Sequence, residues 1–342
     1  MEQMQQSQKT WHDKYYKLLL IIPAVLLILS LTYLIYFSSQ EGDIINKDIS
    51  LTGGTSITVY AQTDLNKLKL DLSSQLGDIS VRGISDLRSG SQIGFVIETN
   101  KDPEQAKPII ESYLGYSLTD KNSSVEFTGP ALSSSFYNEL KIAVLIAFML
   151  MALVVFLIFG VTTKSKIIVT VLTILILFIV LKIGLNIITS IIVLVLSATL
   201  IFMYLNYSIP SFAVILSAFV DIVMSLALIN LLGMKVSSAG IVALVMLIGY
   251  SVDTDILLTS RLLKTTGESL NKRLYGAFKT GTTMTLTAIT SVLIALFITS
   301  GFSETLKQMF TIITIGLVFD LINTWVSNVG ILKWYCEVKK IK

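Results

Sequence analysis

The 342-residue chain has a single cysteine, a single histidine and few charged residues. With Cys336 alone, an intrachain disulfide and a cysteine-based metal cluster are excluded. His12 lies ahead of the first apolar run, so histidine offers no site within a membrane. The chain has no Gly-x-x-x-x-Gly-Lys-Ser/Thr loop, so nothing indicates that it hydrolyses ATP. We therefore expect no metal site, no cofactor and no enzymatic activity.

The scarcity of charge reflects an apolar composition. Only 14% of the residues are charged and 53% are hydrophobic, whereas soluble domains carry about 25% charged residues. This composition predicts a polytopic membrane protein embedded in a lipid bilayer. The net charge of +3 is too small to imply a nucleic-acid partner.

The long apolar runs divide the chain into predicted segments. Lys9, Lys14 and Lys17 precede the first run and place the N-terminus inside. No small-residue cleavage site follows that run, so we expect an anchor and not a cleaved signal peptide. The segments are a cytoplasmic N-terminus (1–17), a first transmembrane helix (18–37), an extracytoplasmic domain (38–139), a second transmembrane helix (141–160), an inserted hydrophobic hairpin (163–208), a four-helix transmembrane segment (212–329) and a basic cytoplasmic tail (330–342).

Residues 38–139 mix charges of both signs and contain no run long enough to span a membrane. The Gly53-Gly54 pair interrupts the first β-branched stretch, as a bulge or a close backbone approach does. The order β-α-β-β-α-β predicts an α+β ferredoxin-like domain. The patterns predict strands at 49–60, 79–87, 92–99 and 124–128 and helices at 64–76 and 103–114.

Five positive charges between residues 261 and 279 are the strongest orientation signal in the second half, and we expect them to be cytoplasmic. Two interpretations of residues 163–208 agree with this expectation. The segment crosses as a hairpin of two helices, which gives eight spans, or it stays on the membrane surface, which gives six. We favour the hairpin. Both termini are then cytoplasmic.

Four aspartates lie in or near the predicted spans, and they are the candidate ion-relay residues: Asp221, Asp253, Asp255 and Asp320. A charge within a bilayer costs several kcal/mol, so such acids are expected to face a protein interior or a wet cavity. At 100° per residue, Asp253 and Asp255 point to opposite faces of one helix. Asp253 shares its face with Arg261. We therefore expect Asp253 to face the bundle and to lead the relay, with Asp221 as its companion.

The same segments supply possible partners for the acids. Lys279 and Arg261 are candidate charge partners, and Thr283 and Thr287 are candidates for a hydroxyl wire. For the aspartates and the threonines, a purely structural role is the simpler alternative. Asp253 and Asp255 could form structural ion pairs near the interface, Asp221 could be a hydrogen-bonded packing residue, and the threonines could hold helices together.

Several motifs resemble those of the SecF family, in particular its archaeal form. The segment 247–261, Leu-Ile-Gly-Tyr-Ser-Val-Asp-Thr-Asp-Ile-Leu-Leu-Thr-Ser-Arg, is similar to the signature of the fourth SecF span. The segments 212–221 and 279–287 resemble the third span and the start of the fifth. Thr52-Gly-Gly-Thr55 resembles the strand after the first span, and Gly129-Pro130 the motif before the second.

Three positions or segments depart from the family pattern. Ser50 and Leu51 stand where many members have Asp-Phe, and Lys279 replaces a bacterial arginine. The family has six spans, so residues 163–208 look like an insertion.

The resemblance implies half of an RND-superfamily membrane bundle that works with SecD in the SecDF complex. It also implies that the external domains handle the preprotein leaving the SecY channel and that proton flow through the membrane acids drives this movement. Two alternatives remain open at this point: a non-conducting structural subunit of the translocon complex, and an RND-like exporter of lipids or small molecules.

Overall fold

The computed structural model describes residues 11–77, 79–86, 89–184, 186–265, 267–300 and 303–340. Most of the predicted N-terminal segment and the last two residues of the predicted tail lie outside the described residues. The helices are α1 (Trp11–Leu19), α2 (Ile21–Glu41), α3 (Ile49–Thr52), α4 (Leu65–Leu76), α5 (Pro103–Leu114), α6 (Pro130–Phe159), α7 (Thr163–Phe178), α8 (Ile187–Tyr207), α9 (Ile209–Leu231), α10 (Ser238–Lys264), α11 (Leu270–Thr299), α12 (Glu304–Ile322) and α13 (Val329–Val338). The strands are β1 (Gly54–Val59), β2 (Ile79–Ser85), β3 (Gln92–Thr99) and β4 (Ser123–Thr128), and π-helical turns cover Ile179–Ile183 and Asn323–Asn328.

The four strands form one antiparallel sheet in the order β2-β3-β1-β4. With α4 after β1 and α5 after β3, this is the predicted ferredoxin-like arrangement. Leucines on α4 and the inward residues of β1 and β3 form a closed core on one face of the sheet. Asp64 caps α4 by accepting hydrogen bonds from the backbone N–H groups of Asn66 and Lys67. The other face of the sheet carries no helix of this domain.

The first predicted strand begins later than expected. Residues Ile49–Thr52 form the helical turn α3, and β1 starts only at Gly54. Gly53 has φ +85°, and a Cβ there would lie 2.5 Å from the Cα of Pro130. The two glycines therefore allow the backbone to turn and to pass close to the start of α6. Of the two predicted explanations for the pair, the close approach is the one observed.

Eight helical segments are long and apolar enough to cross a membrane. They are Tyr15–Glu41, Pro130–Phe159, Thr163–Ile183, Ile187–Tyr207, Ile209–Leu231, Ser238–Lys264, Leu270–Thr299 and Thr305–Val338. The chain is thus a multi-pass membrane protein. Eight is also the number of spans that the hairpin interpretation of residues 163–208 predicts. Several helices extend beyond the predicted apolar runs: α6 begins at Pro130 and α11 at Leu270. Pro130 stands at the first helical position, where its missing N–H is not needed.

The centre of the membrane bundle is formed by α9, α10 and α12, which contact one another and are surrounded by α2, α6 and α11. On α11 the buried residues recur every four positions as Arg273, Ala277, Gly281 and Thr285. Small residues at this spacing let membrane helices approach closely. The hairpin of α7 and α8 lies outside this group, packed against α6 and α9.

The segment between α2 and α3 joins the sheet domain to the end of the bundle at which α9 ends and α10 begins. The backbones of residues 46–48 and Val236 exchange two hydrogen bonds, and the side chain of Asn230 donates to the carbonyl of Ile44. These contacts place the uncovered face of the sheet above the starts of α10 and α12. A cavity of about 610 Å³ lies between them.

Candidate functional site

Three of the four predicted aspartates meet at the centre of the bundle. Asp221 on α9, Asp255 on α10 and Asp320 on α12 are each fully buried. Their carboxyl groups are close enough to interact electrostatically. The three central helices therefore bring three acids, widely separated in sequence, into one cluster, which we call the carboxyl cluster.

Asp221 accepts hydrogen bonds from two polar side chains, one on α10 and one in the π-helical turn that follows α12. Its Oδ2 accepts a 2.6 Å hydrogen bond from the Ser251 hydroxyl on α10. Its Oδ1 accepts a 2.6 Å bond from the amide of Asn323, at the start of the second π-helical turn. Both oxygens of Asp221 thus have donors within the described residues.

Asp255 and Asp320 share a donor. The Thr324 hydroxyl lies 2.9 Å from Oδ1 of Asp255 and 3.1 Å from Oδ1 of Asp320. Asn328 donates a further 2.7 Å bond to Oδ1 of Asp255. A hydroxyl has only one hydrogen to donate. Either this hydrogen is shared between the two carboxyl groups, or one carboxyl group carries a proton and donates it to Thr324.

Several buried polar atoms in and around the cluster have no hydrogen-bond partner among the described residues, and one of them is the Ser217 hydroxyl beside Asp255. Four of its buried oxygens have no hydrogen-bond partner among the described residues: Asp255 Oδ2, Asp320 Oδ2, Asn323 Oδ1 and Asn328 Oδ1. Buried polar atoms are normally paired. A proton on a carboxyl group or a water molecule would supply a donor for such an oxygen.

Local helix geometry explains why one segment supplies three of the donors. Asp320, Thr324 and Asn328 recur every four residues, so they share a face. The helix widens into a π-helical turn over Asn323–Asn328, and Asn323 also reaches the cluster, from a position adjacent to Thr324. Such turns occur frequently at functional sites.

The expectation that Asp253 faces the bundle is wrong. Asp253 is exposed on the outer face of α10, whereas Asp255 is buried. The buried face of α10 follows Ser251, Asp255, Leu258 and Leu262. The prediction that the two acids point to opposite faces is confirmed, but Arg261 was a poor marker of the inner face.

The predicted partners of the acids lie elsewhere as well. Lys279, Thr283 and Thr287 are exposed on α11. Both threonines donate to carbonyls of their own helix, at 2.7 Å for Thr283 and 2.8 Å for Thr287. The guanidinium of Arg261 packs beside Gly276 on α11. The ion pairs found in the described part of the chain include none of the four aspartates.

We did not predict as site residues the hydroxyl and amide side chains that contact the carboxyl cluster: Ser251, Asn323, Thr324 and Asn328. Ser251 lies within the Gly-Tyr-Ser motif, four residues before Asp255. Thr324 and Asn328 follow Asp320 at helical spacing, and this spacing was the signal available in the sequence. Within the described residues, no group of three or more histidine, cysteine or acidic side chains is arranged to hold a metal ion.

Comparisons with known proteins agree with this architecture. The family model for the protein-export membrane protein SecD/SecF, C-terminal, matches residues 178–338. The SecF protein of Methanocaldococcus jannaschii is 36% identical over 96% of this chain and 99% of its own length. The SecF protein of Methanothermobacter thermautotrophicus is 30% identical over 95% of this chain and 94% of its own.

A solved structure shares the fold. It is the crystal structure of SecDF, a translocon-associated membrane protein from Thermus thermophilus, which aligns with a TM-score of 0.60 at 15% sequence identity. The alignment covers 96% of this chain and 39% of the SecDF chain. The present chain therefore spans well under half of that longer protein.

Proposed function

The chain belongs to the SecF family of protein-export membrane proteins, and on that premise we propose that it is an accessory subunit of the Sec protein-export machinery. In this proposal it works with SecD and uses an ion gradient to promote preprotein translocation through the SecY channel. The same proposal places the sheet domain outside the cell membrane and both termini in the cytoplasm.

The carboxyl cluster is the observation on which the ion-gradient proposal depends. Asp221, Asp255 and Asp320 are buried within three candidate spans, and no ion pair of the described residues neutralises them. Ionisable residues in this position are costly and characteristically mark ion pathways. The shared Thr324 hydroxyl and the unpaired oxygens supply positions between which a proton can move. The coupling ion in this proposal is a proton or a sodium ion.

The outer faces of α10 and α11 support a membrane partner. Asp253 and Lys279 are exposed there, in helices that are candidate spans. A charged group facing lipid is unfavourable, so we propose that SecD covers these positions in the complex. The 39% share of the SecDF chain that this fold accounts for is consistent with a protein completed by a second subunit.

The orientation proposal depends on charge. Arg261, Lys264, Lys272, Arg273 and Lys279 flank the connection between α10 and α11, at the bundle end opposite the sheet domain. Under the positive-inside rule this end is cytoplasmic.

The test compares Asp255→Asn with Asp253→Asn. The two residues are two positions apart on one helix, but only Asp255 belongs to the cluster. Each variant is reconstituted with SecD and SecY in vesicles, and translocation of a secreted reporter is followed with and without an imposed proton gradient. We expect Asp255→Asn to lower translocation to the level of wild type without a gradient, and Asp253→Asn to keep the gradient response.

Loss of the gradient response in Asp253→Asn, with a normal response in Asp255→Asn, would place the ion path on the outer face of α10 and rule out the cluster. Repeating the assay with an imposed sodium gradient in place of the proton gradient separates the two ions. A sodium path responds to the sodium gradient, whereas a proton path does not.

A structural role is the second candidate, because every acid of the cluster is in hydrogen-bond contact with a neighbouring polar side chain. In that case the acids hold helices together and carry no ion. Asp221→Asn distinguishes the two roles. The structural role predicts lower thermal stability with an unchanged gradient response, whereas the relay predicts a lost response in a protein that remains folded.

A further inference from the structure

A second pocket, of about 430 Å³, lies beside the sheet domain at the outer end of the bundle. Its walls come from α4, β2, the connection between α9 and α10, and the first turns of α12. It is separate from the carboxyl cluster, and the proposed ion path does not use it.

The pocket is lined by four cationic side chains from four parts of the chain: Lys69, Arg82, Lys235 and Lys307. None of the residues that line it in the described part of the chain is acidic. Arg82 also forms an ion pair with the buried Glu98 on β3, which lines the neighbouring cavity. Among the described residues that line the pocket, with Glu98 added to them, positive charges outnumber negative ones. Bringing like charges together is unfavourable, so their convergence indicates a site for an anion.

The pocket lies at the level where the bilayer surface is expected. Lys235 follows the end of α9 by four residues, and Lys307 lies in the first turn of α12. Both of these helices are candidate spans. Leu231 and Leu232, at the end of α9, are exposed and apolar. An anion held here would therefore have water or headgroups on one side and hydrocarbon directly below.

The floor of the pocket is fixed by hydrogen bonds. The Gln308 amide donates to the carbonyl of Lys235, and its oxygen accepts from the backbone N–H of Ser237 at 3.0 Å and from the Ser237 hydroxyl. These bonds tie α12 to the connection between α9 and α10. The backbones that carry Lys235 and Lys307 are thus held together before any ligand binds.

We propose that this basic pocket binds the phosphate of an anionic membrane lipid from the leaflet on the side of the sheet domain. Lysines bind phosphate as point charges, and arginine adds directed N–H donors. Basic pockets at helix ends are suited to lipid headgroups. The acyl chains would lie along the exposed leucines at the end of α9. Because Lys69 and Arg82 belong to the sheet domain, the bound lipid would tie that domain to the bilayer surface.

The test uses the full-length protein in detergent micelles and counts bound lipid by native mass spectrometry during titration with phosphatidylglycerol. The pocket variant is Lys235→Gln with Lys307→Gln. The control is Lys107→Gln with Lys121→Gln, which removes the same charge from sheet-domain residues outside the pocket. We expect the pocket variant to weaken binding of the most tightly held lipid at least tenfold, and the control to leave it unchanged.

Two further measurements make the experiment interpretable if the double variant misfolds or if the ligand is a soluble phosphate. Lys69→Gln alters only an exposed residue of α4 and should weaken binding severalfold even if the double variant misfolds. Inorganic phosphate is added to the wild type at increasing concentration. Equal lipid binding by all variants, or displacement of the lipid by inorganic phosphate at equal concentration, would overturn the proposal: the first outcome means non-specific lipid adherence, and the second means a soluble phosphate ligand.

Discussion

The central helices and the hairpin of α7 and α8 are all apolar enough to span a membrane, but they differ in what they bury. In α9 and α10, 67% and 56% of the most apolar stretch is buried, against 28% and 22% in the two spans of the hairpin. The central helices bury their polar residues at the middle of the bundle. The hairpin presents large aliphatic side chains to the outside, among them Ile191 and Leu194.

Some of their hydroxyl groups also differ, although Thr311 and Thr314 of the central helix α12 donate to carbonyls of their own helix. In the hairpin, Thr170, Thr173 and Thr199 each donate to a carbonyl of their own helix four residues earlier. In the centre, Ser251 and Thr324 donate to carboxyl groups on other helices. In a bilayer, apolar surface gives no preference between lipid and protein, so polar and small residues decide which helices pack at the centre.

Among the changes that would test this comparison between the central helices and the hairpin, we expect the largest effect from removing the aromatic contact between α6 and α8. Phe156 on α6 is fully buried and packs edge-on against Tyr204 of α8, with ring centroids 4.9 Å apart. Phe156→Ala should destabilise the protein by about 3 kcal/mol, because it leaves a cavity that the neighbours fill only in part. Hydrogen exchange should rise in α7 and α8 and stay low in α9 and α10.

Phe202→Ala is the control, since Phe202 on α8 is 64% exposed. It should cost less than about 1 kcal/mol. If exchange rose equally in the hairpin and in the centre after Phe156→Ala, the two groups of helices would be one cooperative unit and the comparison would fail.

A smaller effect is expected where the central helices approach most closely. Gly316 on α12 faces the fully buried Leu247 of α10, and a methyl group at Gly316 would overlap the Leu247 side chain. Gly316→Ala should therefore cost about 1–3 kcal/mol through overpacking. Thermal unfolding in detergent is a suitable measurement.

Gly249→Ala on α10 provides the matched control, because a methyl group there would meet no atom within 4 Å. This change should be neutral or slightly stabilising, since alanine favours the helix. Equal destabilisation by the two variants would show that the close contact with Leu247 does not determine the result.

The sequence allowed prediction of the sheet domain and of three members of the carboxyl cluster. Alternating patterns and capping residues such as Asp64 are local signals, and local signals were sufficient for the ferredoxin-like order. Asp221, Asp255 and Asp320 could be selected because acids within apolar runs are rare. These predictions needed no knowledge of how the helices pack.

The sequence could not show in the same way which of the acids on α10, Asp253 or Asp255, belongs to the cluster. Periodicity places Asp253 and Asp255 on opposite faces of α10, but it does not say which face the bundle covers. In a soluble helix the apolar stripe would answer this question. In α10, apolar residues occur on both faces, so the inner face depends on contacts with α9 and α12. For the same reason, the hydroxyl residues of α11 could not be distinguished from those of α10 and the π-helical turn.

The smallest effect is expected outside the membrane, where water competes with every polar contact. Asp43, in the segment after α2, accepts hydrogen bonds from the Tyr137 hydroxyl at 2.9 Å and from the N–H of Ile44, and pairs with Lys47 at 3.2 Å. Partial burial raises the pKa of Asp43, but the contacts with Tyr137, Lys47 and Ile44 outweigh it and hold the pKa below its ordinary value.

A carboxyl group with a lowered pKa stabilises the folded state at pH values above its unfolded pKa, about 3.9. The contribution is lost as the pH falls through the lower pKa of the folded state. Because Asp43 and Lys47 remain partly exposed, we expect less than about 1 kcal/mol. Tyr137→Phe should make the unfolding free energy less sensitive to pH below about pH 4, and Tyr36→Phe, at an exposed position of α2, should leave it unchanged. A pH dependence as steep in Tyr137→Phe as in the wild type would show that the Tyr137 hydroxyl does not stabilise the Asp43 carboxylate.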